Sequence, residues 1–166
     1  MRLNKALLAA GVAVILLAAM PAVLTGLPAL FGLEPVAVPT ASMAPEIPAG
    51  SMAYISRDRV SEGDVAMFLA MDGRTMVLHR VVDMDDVSRT ARTKGDANSQ
   101  ADMARIPYGN IVGKLAGSVP YLGTVCEVAS STAGRICRVM AAGMGCMLLA
   151  MSASAAAGKN KNNKFI

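Results

Sequence analysis

An uncharged run of 28 residues, Ala6 to Leu33, constrains this chain more than any other feature. A helix that crosses a bilayer needs about 20 predominantly apolar residues. The run also follows Arg2 and Lys5, the basic flank expected at a cytoplasmic end. A transmembrane helix is therefore predicted from Ala6 to Leu24. Pro21 and Pro28 lie toward its outer end, where lost backbone hydrogen bonds can be met by water or protein, so fraying is expected near Gly26. A basic start, an apolar stretch and the small residues Ala18 and Ala19 also suit a cleaved secretory signal. Continuation of the run well past those alanines favours an anchor.

A second uncharged run of 20 residues, Val139 to Gly158, lies between Arg138 and a tail with Lys159, Lys161 and Lys164. Its length matches another crossing. Its Ala, Gly, Met and Ser residues are only weakly apolar, so a buried helix or a disordered tail is the competing reading; they also suit close packing against the first helix. Five of the 16 basic residues (Arg2, Lys5, Lys159, Lys161, Lys164) fall in the two ends, which hold no acidic residue. The part between holds 11 basic and 12 acidic residues. The net charge of +4 thus reads as a positive-inside signal at both ends, not as a patch for nucleic acid. The organisation expected is a basic start and transmembrane helix over 1–33, an extracytoplasmic domain over 34–132, a second transmembrane helix over 133–158 and a basic cytoplasmic tail over 159–166. Arg135 and Arg138 count slightly against it. Cys126, Cys137 and Cys146 form no CxxC or Cys/His group, so neither a metal site nor a disulfide framework is expected.

Between the anchors, short apolar or alternating runs recur with turn residues between them, the pattern of a mainly β domain. Strands are expected at Ser51 to Ser56, Asp64 to Leu69, Thr75 to Asp83, Arg89 to Thr93 and Asn110 to Val119. In the third, Thr75, Val77, His79 and Val81 share one face, because strand side chains alternate. The stretch from Lys94 to Asp102 holds little that packs and is expected to be a loop of the kind on which sites are built.

Ser42 stands in Pro39-Thr40-Ala41-Ser42-Met43-Ala44-Pro45, nine residues after the first uncharged run ends. A serine hydroxyl becomes a useful nucleophile when a neighbouring base removes its proton, and a third group usually orients that base. His79 is the only histidine. Alone, a serine between prolines is more often a turn residue, and a histidine on an apolar strand face is more often structural. Asp96, two residues before Asn98, equally suits a turn residue bonding the local backbone.

Four boxes in order change that balance, because together they resemble the type I signal peptidases, in particular the Ser-His-Asp branch of archaeal, endoplasmic-reticulum and spore-former type. That family's serine box looks like Ser-Met-x-Pro followed by a glycine, matched by Ser42-Met43-Ala44-Pro45 and Gly50. An aspartate ordinarily follows that glycine, where this chain has Ser51. A structural Gly-Asp box is matched by Gly63-Asp64-Val65-Ala66-Met67-Phe68, and a His-Arg-Val box by His79-Arg80-Val81. The last box, Lys-Gly-Asp-x-Asn with a further aspartate, is matched by Lys94-Gly95-Asp96-Ala97-Asn98 and Asp102. The resemblance covers residues 35–117.

It implies a mainly β, signal-peptidase-like extracytoplasmic domain held by an N-terminal and a C-terminal transmembrane helix. The implied activity is that of a membrane-bound serine endopeptidase, cutting signal peptides from exported preproteins after small residues. Preproteins and membrane lipid are its implied partners, and no metal or organic cofactor is needed. Carried over by residue, Ser42 is the nucleophile, and His79 is the base and later the acid for the leaving amine. Asp102 orients the imidazole, with Asp96 as the alternative. The Ser42 backbone amide and Thr40, which aligns with a serine used in this way by many bacterial relatives, are the implied oxyanion donors. Two other readings stay open. A lysine base would fall to Lys94 or Lys114, neither at the matching position, and implies activity well above neutral, since lysine ordinarily titrates at about 10.4 and histidine at about 6.5. A non-catalytic membrane-anchored β-domain, an assembly or scaffold subunit, is the reading from a different class. The residues fix neither the oligomeric state nor the breadth of substrates.

Overall fold

The structure, a computed structural model, describes residues 2–162 and the side chains of residues 4–155. It is mainly β, with an apolar helix at each end. Helix α1 (Arg2–Ala29) runs past Leu24 and through Gly26, where fraying was expected. In so long a helix a proline removes one backbone bond without ending the run. Closure comes instead from three tight turns: Leu30 N–H donates to the Leu27 carbonyl, Phe31 to Pro28 and Gly32 to Ala29, at 3.0–3.1 Å. Gly32, at φ 74°, takes the left-handed conformation that costs a residue without Cβ little.

Seven strands follow: β1 (Leu33–Val38), β2 (Ser51–Ser56), β3 (Val65–Leu69), β4 (Met76–Asp85), β5 (Thr90–Lys94), β6 (Ile106–Pro107) and β7 (Ile111–Val119). They form one antiparallel sheet in the order β1-β2-β7-β3-β4-β5-β6. The five strands expected from sequence are β2 to β5 and β7. The two additional ones, β1 and β6, are the sheet's edges. Edge position explains why β1 tolerates Pro35, whose missing N–H would break a ladder in a central strand.

Alternation along the strands feeds two cores. Val65 and Met67 of β3 join Val38, Met43, Ile47, Ala53 and Ile55 on one side, while Ala66 joins Val60, Val81 and Ala91 on the other. β3 is consequently buried on both faces, and it supports the strand that carries His79.

After β7 the chain turns helical earlier than the expected boundary at 132, in α2 (Leu122–Ser130), and continues in α3 (Thr132–Asn162). Two compact units result: Thr25–Glu127, which holds the sheet, and a helical unit of the chain up to Leu24 and from Val128 onward. Asn4–Ala29 and Thr132–Ala155 are long and apolar enough to cross a membrane. The side chains of Arg2, Lys159 and Lys161, and Lys164 altogether, lie outside the described residues.

Within the helical unit α1 and α3 touch through small residues. A Cβ on Gly145 would stand 2.7 Å from Ile15 Cγ1 and 3.1 Å from the Gly11 carbonyl oxygen, and the Ser152 hydroxyl donates to the Asn4 carbonyl at 2.9 Å. In lipid, where no hydrophobic drive joins helices, such close approach would be what holds a helix pair together. Gly145→Leu is expected to destabilise the pair by about 1–3 kcal/mol, read as earlier loss of helical signal on heating in detergent. An unchanged unfolding profile would show that this contact contributes nothing.

Candidate functional site

Ser42 owes its position to its neighbours. The chain leaves β1 at Val38 and returns at Ser51, and Gly50 N–H closes this loop on the Val38 carbonyl at 2.7 Å. Met43 and Ile47, both fully buried, plug the loop into the first core, with Ile47 N–H donating to the Met43 carbonyl at 2.9 Å. Ser42, immediately before Met43, is thereby held half-buried at the rim. The residue after Gly50, Ser51, is also fully buried, and its hydroxyl donates to the Pro48 carbonyl, so the departure from the expected aspartate closes the turn locally.

His79 lies on β4 opposite Ala66 of β3, with its ring edge-to-face against Phe68, centroids 6.4 Å apart at 66°. Its Nδ1 stands 2.7 Å from Asp102 Oδ2, and the two side chains are 12% and 28% exposed. An ionised carboxylate only accepts hydrogen bonds, so Nδ1 is the donor in this contact, and when the ring is neutral Nε2 is left as an acceptor. Thr93, 1% exposed on β5, donates its hydroxyl to the same Asp102 oxygen at 2.6 Å, and Asp102 N–H donates to the Thr93 carbonyl at 2.8 Å.

The loop from Gly95 to Asp102 ties these pieces to the serine. Ala97 N–H donates to the Ser42 carbonyl at 2.9 Å. A Cβ on Gly95 would stand 2.7 Å from the Ser42 carbonyl oxygen, 2.8 Å from Asn98 Nδ2 and 3.0 Å from His79 Nε2. Only glycine fits there, with the Ser42 carbonyl and His79 Nε2 both packed against it. The Ser42 hydroxyl itself pairs with Thr40 Oγ1 at 3.3 Å; among the described residues it makes no hydrogen bond to His79.

Asp96 sits elsewhere in the network. It takes two bonds from the Arg80 guanidinium, from Nε at 2.9 Å and Nη2 at 2.7 Å, and among the described residues none from the local backbone. Arg80 also reaches Glu46, in the serine loop, and donates to the Gly63 carbonyl at 2.9 Å. The Arg80 hydrogen bonds hold the Asp96 carboxyl below its ordinary range, and the same pairing with Asp96 raises Arg80. Of the two internal lysines, Lys114 lies 3.5 Å from Asp64, and Lys94 opposes Arg80 in the β4–β5 register.

Thr40, Ser42, His79 and Asn98 line one groove of about 360 Å³, whose remaining walls are Pro39 and apolar residues of β1, β3 and β4, from Val36 to Val38, Met67 and Met76 to Leu78. A larger concavity of about 450 Å³, with Arg57, Arg59, Arg89 and Tyr108, contains none of the candidate residues. Among the described residues no cluster of three or more His, Cys, Asp or Glu side chains could hold a metal ion.

Sequence reasoning did not anticipate Arg80, Glu46 or Thr93. Arg80 was within reach, since the residue after a strand histidine must point to the opposite face and a half-buried guanidinium draws carboxylates. Thr93 carries no comparable signal.

No protein-family model matches the chain. Among curated proteins, Signal peptidase I W of Bacillus subtilis (strain 168) is 34% identical over 98 residues, which is 55% of this chain and 51% of that protein. The chain thus spans about half the length of the curated relative it matches. That likeness supports kinship with the type I signal peptidase family without distinguishing its branches.

Proposed function

We propose that this chain is a membrane-anchored serine endopeptidase that cuts signal peptides from preproteins, working with a Ser-His-Asp set. The observation that carries the reading is the His79 Nδ1 to Asp102 contact of 2.7 Å, in a ring whose Nε2 lies beside the Ser42 segment and lines the same groove as Ser42.

In this reading His79 Nε2 takes the Ser42 proton as Oγ attacks the scissile carbonyl, and returns it to the leaving amine; water then resolves the acyl-enzyme by the same route in reverse. Asp102 fixes the tautomer this requires. The Ser42 backbone N–H and the Thr40 hydroxyl receive the oxyanion. Thr40 already bonds Ser42 Oγ, and hydrogen bonds between nucleophile and base often tighten only once substrate is bound. Asp96 belongs to the Arg80 clamp that braces the serine loop. An extended substrate would add to the free edge of β1, and the shallow apolar wall would admit small side chains. Membrane helices over 1–33 and 133–158, with the β domain of 34–132 outside and basic ends inside, would bring that edge to substrates whose own apolar segments remain in lipid.

The test is cleavage of a membrane-inserted preprotein by the purified full chain in detergent, comparing wild type with Ser42→Ala, His79→Ala, Asp96→Ala and Asp102→Ala. Cutting after a small residue, lost in the Ser42, His79 and Asp102 variants, supports the proposal. An inert wild type on several preproteins returns the scaffold reading.

Gly95→Ala is a further prediction. Its methyl group would push the Ser42 carbonyl and His79 Nε2 apart, and a displacement of about 1 Å in a reacting pair can cost about 100-fold in rate. A variant cutting at the wild-type rate would mean that the approach at Gly95 does not set the reacting geometry.

A further inference from the structure

Asp102 Oδ2 accepts two hydrogen bonds, one from His79 Nδ1 at 2.7 Å and one from the Thr93 hydroxyl at 2.6 Å. Thr93 is 1% exposed, lies opposite Val81 in the β4–β5 register, and receives the Asp102 N–H on its own carbonyl at 2.8 Å. One β5 residue therefore grips Asp102 by main chain and side chain together. It does so where β4, two residues beyond His79, pairs with β5.

We infer that Thr93 is the positioning residue of the base: its hydroxyl fixes the Asp102 carboxylate, which then fixes the His79 tautomer. This rests on the peptidase reading for its kinetic consequence but not for its structural one. Asp102 returns to the sheet at the end of an exposed loop and is itself 28% exposed, so burial alone does not set its rotamer. A carboxylate free to turn would offer either oxygen to Nδ1, or lose it to water. Among the described residues the Thr93 hydroxyl makes its side-chain hydrogen bond to that carboxylate, and a buried donor held to a charged acceptor is the stronger kind of hydrogen bond. The main-chain bond sets the distance of approach, and the hydroxyl sets the carboxylate plane.

Because His79 is the only histidine, ¹⁵N spectra of the labelled full chain in detergent report on this one ring. The variants are Thr93→Val, which keeps the β-branched shape without the hydroxyl, and Thr93→Ser, which keeps the hydroxyl. In wild type and Thr93→Ser a single tautomer with protonated Nδ1 is expected, and in Thr93→Val a mixture. On a preprotein substrate, Thr93→Val is expected to lower kcat by about 10- to 100-fold with KM within about twofold, and Thr93→Ser to recover most of the loss. A single Nδ1–H tautomer in Thr93→Val with wild-type kcat overturns the inference, as does a Thr93→Ser variant as impaired as Thr93→Val. A tautomer lost in Thr93→Val and kept in Thr93→Ser, from a chain that cuts no preprotein, would uphold the positioning role and remove the peptidase reading. Should Thr93→Val fail to fold, the wild-type hydroxyl proton of Thr93 carries the test: slow exchange with water supports the bond to Asp102, and rapid exchange overturns it.

Discussion

Replacing Ser42 by alanine is expected to lower cleavage by about 10⁴- to 10⁶-fold, the range seen when a nucleophile is removed from a set that acts as a unit. The same change should leave the β unit folded. Ser42 is half-buried, and among the described residues its hydroxyl bonds only the neighbouring Thr40, whereas the loop is held by Met43, Ile47 and the Gly50 to Val38 bond. Removing one exposed hydroxyl from such a rim costs stability within about 0.5 kcal/mol. Activity and stability are therefore separable at this position: preprotein cleavage on a gel should vanish while the thermal midpoint stays in place. Retention of more than about a hundredth of wild-type activity, too much for a missing nucleophile, would transfer that role away from Ser42.

The fold was legible where pattern meets burial. Ser51 to Ser56 reads as a strand and is one to the residue, because its side chains enter a core. β4 and β5 extend beyond their expected ends, to Asp85 and Lys94, because the hairpin continues pairing through polar residues that no apolar pattern marks. β1 was hidden by Pro35 and by its nearness to the uncharged run, since Leu33 counts equally well as the end of a span or the start of a strand. β6 is two residues long and exists only because Ala91 and Thr90 present free ladder groups to it. Tertiary pairing of this sort leaves no local mark. At the ends, α1 absorbs Pro28, and a short helix, Leu122–Ser130, precedes the one expected from residue 133.

The candidate site was legible as residue types in order, but not as connections. The spacing of Ser42, His79, Asp96 and Asp102 could not decide which aspartate meets the ring. That depends on the loop from Gly95 curling so that Asp102 returns to Thr93 while Asp96 points to Arg80. The reading of Asp96 as a local turn former missed an ion pair spanning 16 residues of sequence. Neither Thr93 nor Glu46 belongs to a residue pattern with chemistry of its own; each matters through the partner the sheet brings to it.

The two aspartates should consequently fail in opposite ways. Asp102→Asn replaces an acceptor with a group that can donate to Nδ1, which imposes the tautomer with protonated Nε2 and leaves the ring unable to take the Ser42 proton; a fall of about 10⁴-fold in kcat is expected. Asp96→Asn should leave cleavage within about tenfold, since Arg80 keeps its bonds to Glu46 and the Gly63 carbonyl, but should cost about 1–2 kcal/mol of stability at neutral pH. The pH dependence follows from the sign of the Asp96 shift. Its folded pKa lies below the unfolded value of 3.8, chiefly through the Arg80 hydrogen bonds, so the contribution is fully present above about pH 4 and is lost as pH falls through the folded value. Thermal unfolding at pH 7 and pH 3 should therefore differ less in Asp96→Asn than in wild type. Asp72 and Asp85, held low by hydrogen bonds from Thr75 and Ser88 first of all, would preserve part of the difference. Loss of cleavage in Asp96→Asn together with its survival in Asp102→Asn would reverse the two roles, and the clamp around Arg80 would then have to be read as part of the chemistry.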